Sequence, residues 1–323
     1  MKRPLPLTAF LFILPSLFFS VTKAQKTVPD TASVGIYVTS IYDIDFKQKE
    51  YAVDYWLWLK YKNKDLDFVN NLEIPMAKNV SRSFFTIDTS GGRVYLLMKM
   101  QCIMKDSWKI DNFPFDRQTL RLSFESAKYD AKAMVFVADT LGEDYDKRTH
   151  LLLGWNIDSF AIHISNKVYE TAFGDETLLK PRAEYSAFQV KIGLKRDATG
   201  LFWKMFLGMY VAFLIAYVCF YIHADGIDSR FGLSVGSLFA VIGNKYIIDS
   251  SLPESTSFTL VDILHQVTLV FILLTITSTA YSLKLVKQHK IRQARKFDMV
   301  AAQVFLALYL ILNFYFIWRA KTG

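Results

Sequence analysis

Residues 228–248 hold this chain to a narrow set of folds. The stretch is apolar enough to leave water, yet it carries Ser229, Arg230, Ser234, Ser237, Asn244 and Lys245, with glycines at Gly232, Gly236 and Gly243. A helix with that many polar groups persists in a bilayer only if one face is kept from lipid, against protein or water. It is the second of four apolar segments, 201–222, 229–248, 258–283 and 299–318, and the other three are greasy enough to face acyl chains.

The chain opens with Lys2 and Arg3, an apolar run over 5–21, and Thr22-Lys23-Ala24. These are the charged, apolar and small-residue parts of a secretory leader over 1–24. A domain over 25–199 follows, in which the dominant period is two. Tyr51, Val53, Tyr55, Leu57 and Leu59 alternate with polar neighbours, as do Leu120, Leu122 and Phe124, and Phe188, Val190, Ile192 and Leu194. Half-buried strands give that pattern because successive side chains point to opposite faces. Turn signals such as Ser90-Gly91-Gly92 and Asn112-Phe113-Pro114 separate the runs. Many short strands without helical repeats between them predict an immunoglobulin-type β-sandwich, with a four-helix transmembrane bundle over 200–323.

The net charge of +8 is not a nucleic-acid footprint. Lys284, Lys287, Lys290, Arg292, Arg295 and Lys296 crowd between the third and fourth segments, whereas Asp249 and Glu254 follow the second. The positive-inside rule puts the basic connection in the cytoplasm. The β-domain then faces the periplasm or exterior of an inner, cell membrane crossed four times. The cysteines, Cys102 in the β-domain and Cys219 in the first span, are too far apart to bond, so the sandwich stands on its apolar core.

On the second segment Asp228, Gly232, Gly236, Phe239, Gly243 and Tyr246 follow one another at steps of three and four and form a single stripe. As a pore lining it has a wide lumen between glycines, a bulky apolar gate at Phe239 and a carboxylate mouth at Asp228 that selects cations. The alternative use of Gly232 and Gly236 is close helix packing. One chain offers one such helix, so a pore requires several copies around an axis.

Phe113-Pro114-Phe115-Asp116-Arg117-Gln118-Thr119-Leu120 resembles the FPFDxQ signature of pentameric ligand-gated ion channels, the Cys-loop receptor superfamily. The resemblance covers nearly all of the mature chain. Asp228-Ser229-Arg230-Phe231-Gly232 is similar to the start of that family's pore helix, and Lys195-Arg196 to its pre-membrane arginine. The positions of the name-giving cysteines fall on Asp106 and Leu120, so the disulfide is absent, as in the prokaryotic branch. The binding tryptophan after the motif falls on Ala127. The resemblance implies a coupling cluster in which Asp45 and Asp116 flank Arg196, and agonist contacts at Trp155, Tyr169 and Tyr185.

Asp262 and His265, one turn apart near the outer end of the third span, are candidate proton sensors, with a hydrogen bond to the pore helix as the structural alternative. No nucleophile motif, HExxH spacing or phosphate loop occurs, and no enzyme, cofactor or metal is expected. The expected function is passive passage of ions, cations by Asp228, through a homopentamer in the lipid bilayer. Its stimulus is an unidentified small molecule, ion or proton acting at the β-sandwich. The rival is a membrane-anchored binding or sensing protein of the same architecture that does not conduct.

Overall fold

The computed structural model describes residues 28–322 apart from 140, 142–143, 147–153, 175, 177–180 and 255–256. The leader expected over 1–24 lies outside the described residues. Among the described residues nine strands come first: β1 (Asp30–Asp45), β2 (Glu50–Tyr61), β3 (Leu72–Glu73), β4 (Ala77–Asp88), β5 (Val94–Lys105), β6 (Arg117–Ser126), β7 (Met134–Ala138), β8 (Trp155–Tyr169) and β9 (Ala183–Arg196). A short helix, α1 (Phe68–Asn71), precedes β3. The strands form two sheets, ordered β4-β5-β2-β1-β7 and β3-β6-β9-β8. These strands pair antiparallel except β1 with β7, and an isolated parallel bridge also joins Val38 to Tyr145.

The period-two runs meet between the sheets. Tyr55, Leu57 and Leu59 of β2, Leu120 and Phe124 of β6, and Phe188, Val190 and Leu194 of β9 are buried in one cluster. Two tyrosines in this layer have hydroxyl partners. Tyr51 donates to Arg121 O at 2.8 Å, and Tyr55 lies 3.1 Å from Cys102 Sγ. Cys102 and Cys219 are both buried and unpaired.

Four long helices follow: α2 (Thr199–Val218), continued by a 3-10 turn over Cys219–Tyr221, α3 (Ile227–Asp249), α4 (Leu260–Lys287) and α5 (Ile291–Thr322). Each is long and apolar enough to cross a membrane, and the chain is a multi-pass membrane protein. At 1.5 Å per residue the 32 residues of α5 reach well beyond a hydrocarbon core of about 30 Å. This is why the basic stretch, read from sequence as a loop, is mostly helix. Lys284 and Lys287 end α4, and Arg292, Arg295 and Lys296 begin α5. Thr259 starts α4 with a reciprocal cap, its hydroxyl accepting from Asp262 N while the Asp262 carboxylate accepts from Thr259 N.

The segment between β5 and β6 joins the two domains. Ile110 and Phe113 are buried with Phe202 and Phe206 of α2 and Val261 and Leu264 of α4. Asp111 O accepts from Leu260 N at 2.8 Å. Phe115 packs on Phe202 with ring centroids 5.5 Å apart, and Lys321 at the end of α5 lies 4.9 Å over the Phe115 ring.

Candidate functional site

Every member of the predicted stripe on α3 is open to the outside of the subunit. Phe239 is 68% exposed and Tyr246 77%. Asp228, Gly232, Gly236 and Gly243 are exposed as well. A Cβ added at any of the three glycines would meet nothing within 4 Å, so within the subunit they serve no close packing. The buried residues of α3 are Arg230, Ser234, Ser237, Val241 and Ile248. At 100° per residue they cluster on the face opposite Phe239.

Of the polar residues that single out this helix in the sequence, Arg230, Ser234 and Ser237 turn inward, against protein, Asn244 and Lys245 are half-buried and Ser229 is exposed, while the glycines and Phe239 face out. Arg230 donates to Asp298 Oδ2 of α5 at 2.8 Å and to Ile222 O at 3.1 Å, and Ser282 of α4 donates to the same Asp298 oxygen at 2.9 Å. Ser234 donates to Arg230 O at 2.8 Å and lies 3.2 Å from Cys219 Sγ of the turn after α2. Arg230 and Asp298 are both nearly inaccessible, with side chains 2% and 4% exposed. One face of α3 is thus wired into the other three helices, and the other is unoccupied within the subunit.

At the opposite end of α3, Asn244 Oδ1 lies 3.0 Å from His265 Nε2, and His265 Nδ1 lies 2.8 Å from Val261 O. Lys245 bridges Asp249 at 2.5 Å and Asp262 at 2.8 Å. Asp262 and His265 are thereby brought to the α3–α4 contact, each with its own partners: Asp262 caps a helix and pairs a lysine, and His265 links two helices.

The junction holds Arg196, the last residue of β9. Its Nε donates to Asp116 Oδ1 at 2.7 Å and its Nη2 to Oδ2 at 3.2 Å. Gln118 holds the other side of Asp116 at 2.6 Å and staples the loop through Lys109 N and O. Sequence reasoning places Asp45 on the other flank of Arg196, and the structure corrects this. The Asp45 carboxylate accepts from Gln48 N at 2.7 Å within its own turn. Phe46, Phe113 and Trp155 fill the space instead, with ring centroids 4.9, 4.9 and 3.9 Å from the guanidinium carbon.

Trp155 is accordingly not with the other two candidate agonist aromatics. It begins β8 and pairs with Arg196, while Tyr169 ends the same strand and pairs with Ala183. At about 3.3 Å per residue the strand separates them by roughly 45 Å. Tyr169 and Tyr185 do meet, with ring centroids 6.0 Å apart, and Phe173 joins them at 5.5 and 6.3 Å. Tyr169 donates to Glu125 Oε2 at 2.8 Å. Burial pushes the Glu125 carboxyl above the usual carboxylate range and the Tyr169 phenol above its own. Sequence reading missed Glu125 and Phe173. Glu125 follows Phe124 in an alternating strand and reads as an outward polar residue, and Phe173 reaches the tyrosines only through the turn after β8.

Asp106 and Leu120, the positions where the family's loop disulfide falls, are bridged differently. Asp106 is buried, and its carboxylate accepts from Arg121 N and Nε at 3.1 Å, with a further, short contact from Arg121 Nη2. An ionic clasp on the residue next to Leu120 closes the loop that carries Phe113 and Asp116.

No family model matches the chain. It is 24% identical to a proton-gated ion channel of Gloeobacter violaceus over 253 residues, 72% of this chain and 67% of that protein. It is 21% identical to gamma-aminobutyric acid receptor subunit gamma-4 of Gallus gallus over 269 residues, 76% of this chain. The match spans 56%, little more than half, of the receptor subunit's length. The resemblance to pentameric ligand-gated ion channels thus stands on two relatives as well as on the motif.

Proposed function

We propose that the chain is the subunit of a homopentameric ligand-gated ion channel in which α3 lines the pore. One observation carries the reading. The face of α3 made of Asp228, Gly232, Gly236, Phe239, Gly243 and Tyr246 is open, while the opposite face is fixed by Arg230, Ser234 and Asn244. A helix anchored on one side and bare on the other needs an occupant there, and a water-filled axis ringed by copies supplies it. In the sandwich, β4 leaves Val80, Phe84, Phe85 and Ile87 about half exposed, an apolar edge suited to a neighbouring copy.

In this reading ions pass passively down their gradient. The Phe239 ring is the constriction, and the Asp228 ring at the basic, cytoplasmic end favours cations. A stimulus at the sandwich, whose ligand face includes Tyr169, Tyr185, Phe173 and Glu125, reaches α2 through the pair of Arg196 and Asp116. The Gloeobacter relative is described as proton-gated, which makes a proton the first stimulus to apply to this chain.

Recording from the purified protein in planar bilayers, with steps from about pH 8 to about pH 4, tests the proposal. Unitary currents are expected from particles of pentameric mass. A protein that assembles, inserts and stays silent at every pH, whatever ligand is added, is the non-conducting sensor instead.

A further inference from the structure

A pocket of about 750 Å³ opens at the edge of the sandwich beside β6. On that side β3 pairs only with Glu125 and Ser126, so β6 has no strand partner there from Arg117 to Phe124. The floor of the pocket includes two ladder pairs, Arg121 opposite Lys191 and Ser123 opposite Gln189. Lys167 and Tyr169 of β8 line another part. Pro75 and Met76, from the turn before β4, and Lys49, from the turn before β2, contribute the wall.

The lining is strongly basic. Lys49, Lys105, Arg121, Lys167 and Lys191 share it with two carboxylates, Asp106 and Glu125. Asp106 is engaged by Arg121, and Lys105 pairs with Glu50. Glu125 is buried, and burial favours its protonated form. Lys49, Lys167 and Lys191 form no ion pair with a described residue. Lys191 moreover faces Arg121 directly across the ladder, where like charges repel.

The wall adds a second observation. Lys49 and Met76 both adopt the left-handed backbone region, with φ of 56° and 71°, which long side chains rarely enter. The end of β5 holds them there: Lys105 N donates to Met76 O at 2.8 Å and Asp106 N to Lys49 O at 3.0 Å. Lys49 is thereby kept close to Arg121, the partner of the Asp106 carboxylate. Met76 is 66% exposed, an apolar side chain kept in water. An inorganic anion answers the cations and leaves Pro75, Met76 and Tyr169 uncovered. A neutral apolar molecule does the reverse, and an amine is repelled. An organic anion meets both demands, and the volume is that of a small-molecule site.

We propose that this pocket binds a water-soluble organic anion, a carboxylate on an apolar or aromatic body. The carboxylate lies among Lys49, Arg121 and Lys191, and the body rests on Met76, Pro75 and Tyr169. Tyr169 also belongs to the cluster with Tyr185 and Phe173, which do not line the pocket. If the chain is a channel stimulated at that cluster, an occupied pocket tunes the response; the binding itself does not rest on that reading.

The test titrates the full-length protein in detergent with 2-naphthoate, its neutral analogue 2-naphthamide and sodium sulfate, by isothermal calorimetry. We expect naphthoate to bind at one site per subunit and naphthamide at least tenfold more weakly. The double variant K49Q/K191Q is expected to weaken naphthoate about tenfold, the effect of two partly exposed charges. Gln189→Trp fills the pocket, keeps every cation and should weaken naphthoate as well; it also serves if the double variant does not assemble. Unchanged naphthoate binding in a folded variant of either kind overturns the proposal. So does naphthamide binding as tightly as naphthoate, or sulfate competing on equal terms, which would make this a free-anion site. A protein that binds naphthoate as expected and passes no current upholds the site and refutes the channel reading alone.

Discussion

Arg196 grips both carboxylate oxygens of Asp116, at 2.7 and 3.2 Å, with its guanidinium carbon 3.9 Å from the centre of the Trp155 ring. A planar fork grips both oxygens while it stacks on a ring, and an ammonium, a point charge, cannot do both in this geometry. Arg196→Gln leaves the Asp116 carboxylate, 1% exposed, without its charge partner, and breaking a buried pair on one side costs about 3 kcal/mol. We expect a lower unfolding temperature in detergent, assembly intact by size exclusion, and loss of the evoked current. Arg196→Lys should not restore the current. Normal gating in either variant would remove this pair from signal transmission.

Phe239 projects from the free face of α3, so truncating it removes little packing within the subunit. Phe239→Ala is expected to leave thermal stability within about 0.5 kcal/mol of wild type while raising the unstimulated current through a wider constriction. A stable variant with no change in basal current would place the gate elsewhere.

Asp228 occupies the first turn of the same helix and is exposed. In the proposed pore, a ring of carboxylates there would concentrate cations at the mouth. Asp228→Ala should move the reversal potential measured under a salt gradient away from the cation equilibrium value and lower single-channel conductance. An unmoved reversal potential assigns selectivity to another ring.

The sandwich and the four spans are legible in the sequence because period two and long apolar runs are direct consequences of strand pleat and bilayer thickness. The glycine stripe is legible for a similar reason, since steps of three and four define one helix face. Which way the polar side of α3 turns is not, because Arg230 finds Asp298 across 68 positions of sequence. Nor is the fate of Asp45. The neighbouring Phe46 takes the place beside Arg196, a choice set by how the turn after β1 meets the loop before β6. Trp155 misleads because an aromatic shortly before two others in sequence stands at the far end of a long strand. Glu125 is hidden by its regular place in an alternating run, where only the packing of β8 against β9 reveals it as buried.

The pair of Arg230 with Asp298 is enclosed, and Arg230 Nη1 and Asp298 Oδ1 have no hydrogen-bond partner among the described residues. An ion pair with unmet groups in a dry bundle is costly to keep and costlier to break on one side. Asp298→Leu alone should destabilise the protein by about 3 to 5 kcal/mol, and the double variant R230M/D298L should recover most of that loss. Thermal unfolding of the two variants in detergent gives the comparison. Equal losses in both would mean that the charges, rather than their mismatch, hold α3 to α5.

Glu125 offers a test through pH. It is 3% exposed, and burial holds its carboxyl above the ordinary 4.5, with the Tyr169 hydrogen bond pulling only part of the way back. The folded protein therefore binds this proton more tightly than the unfolded chain. Its contribution to stability is complete below the unfolded value and is lost as pH rises through the folded one. Glu125→Gln keeps an acceptor for the Tyr169 hydroxyl and removes the titration. The difference in unfolding temperature, variant minus wild type, should thus grow as pH rises from about 4.5 and level off once the folded carboxyl has ionised. A difference that is flat with pH, or that shrinks, would mean that Glu125 ionises as freely in the folded protein as in the unfolded chain. The cluster of Tyr169, Tyr185 and Phe173 would then sit on an open surface rather than around a buried acid.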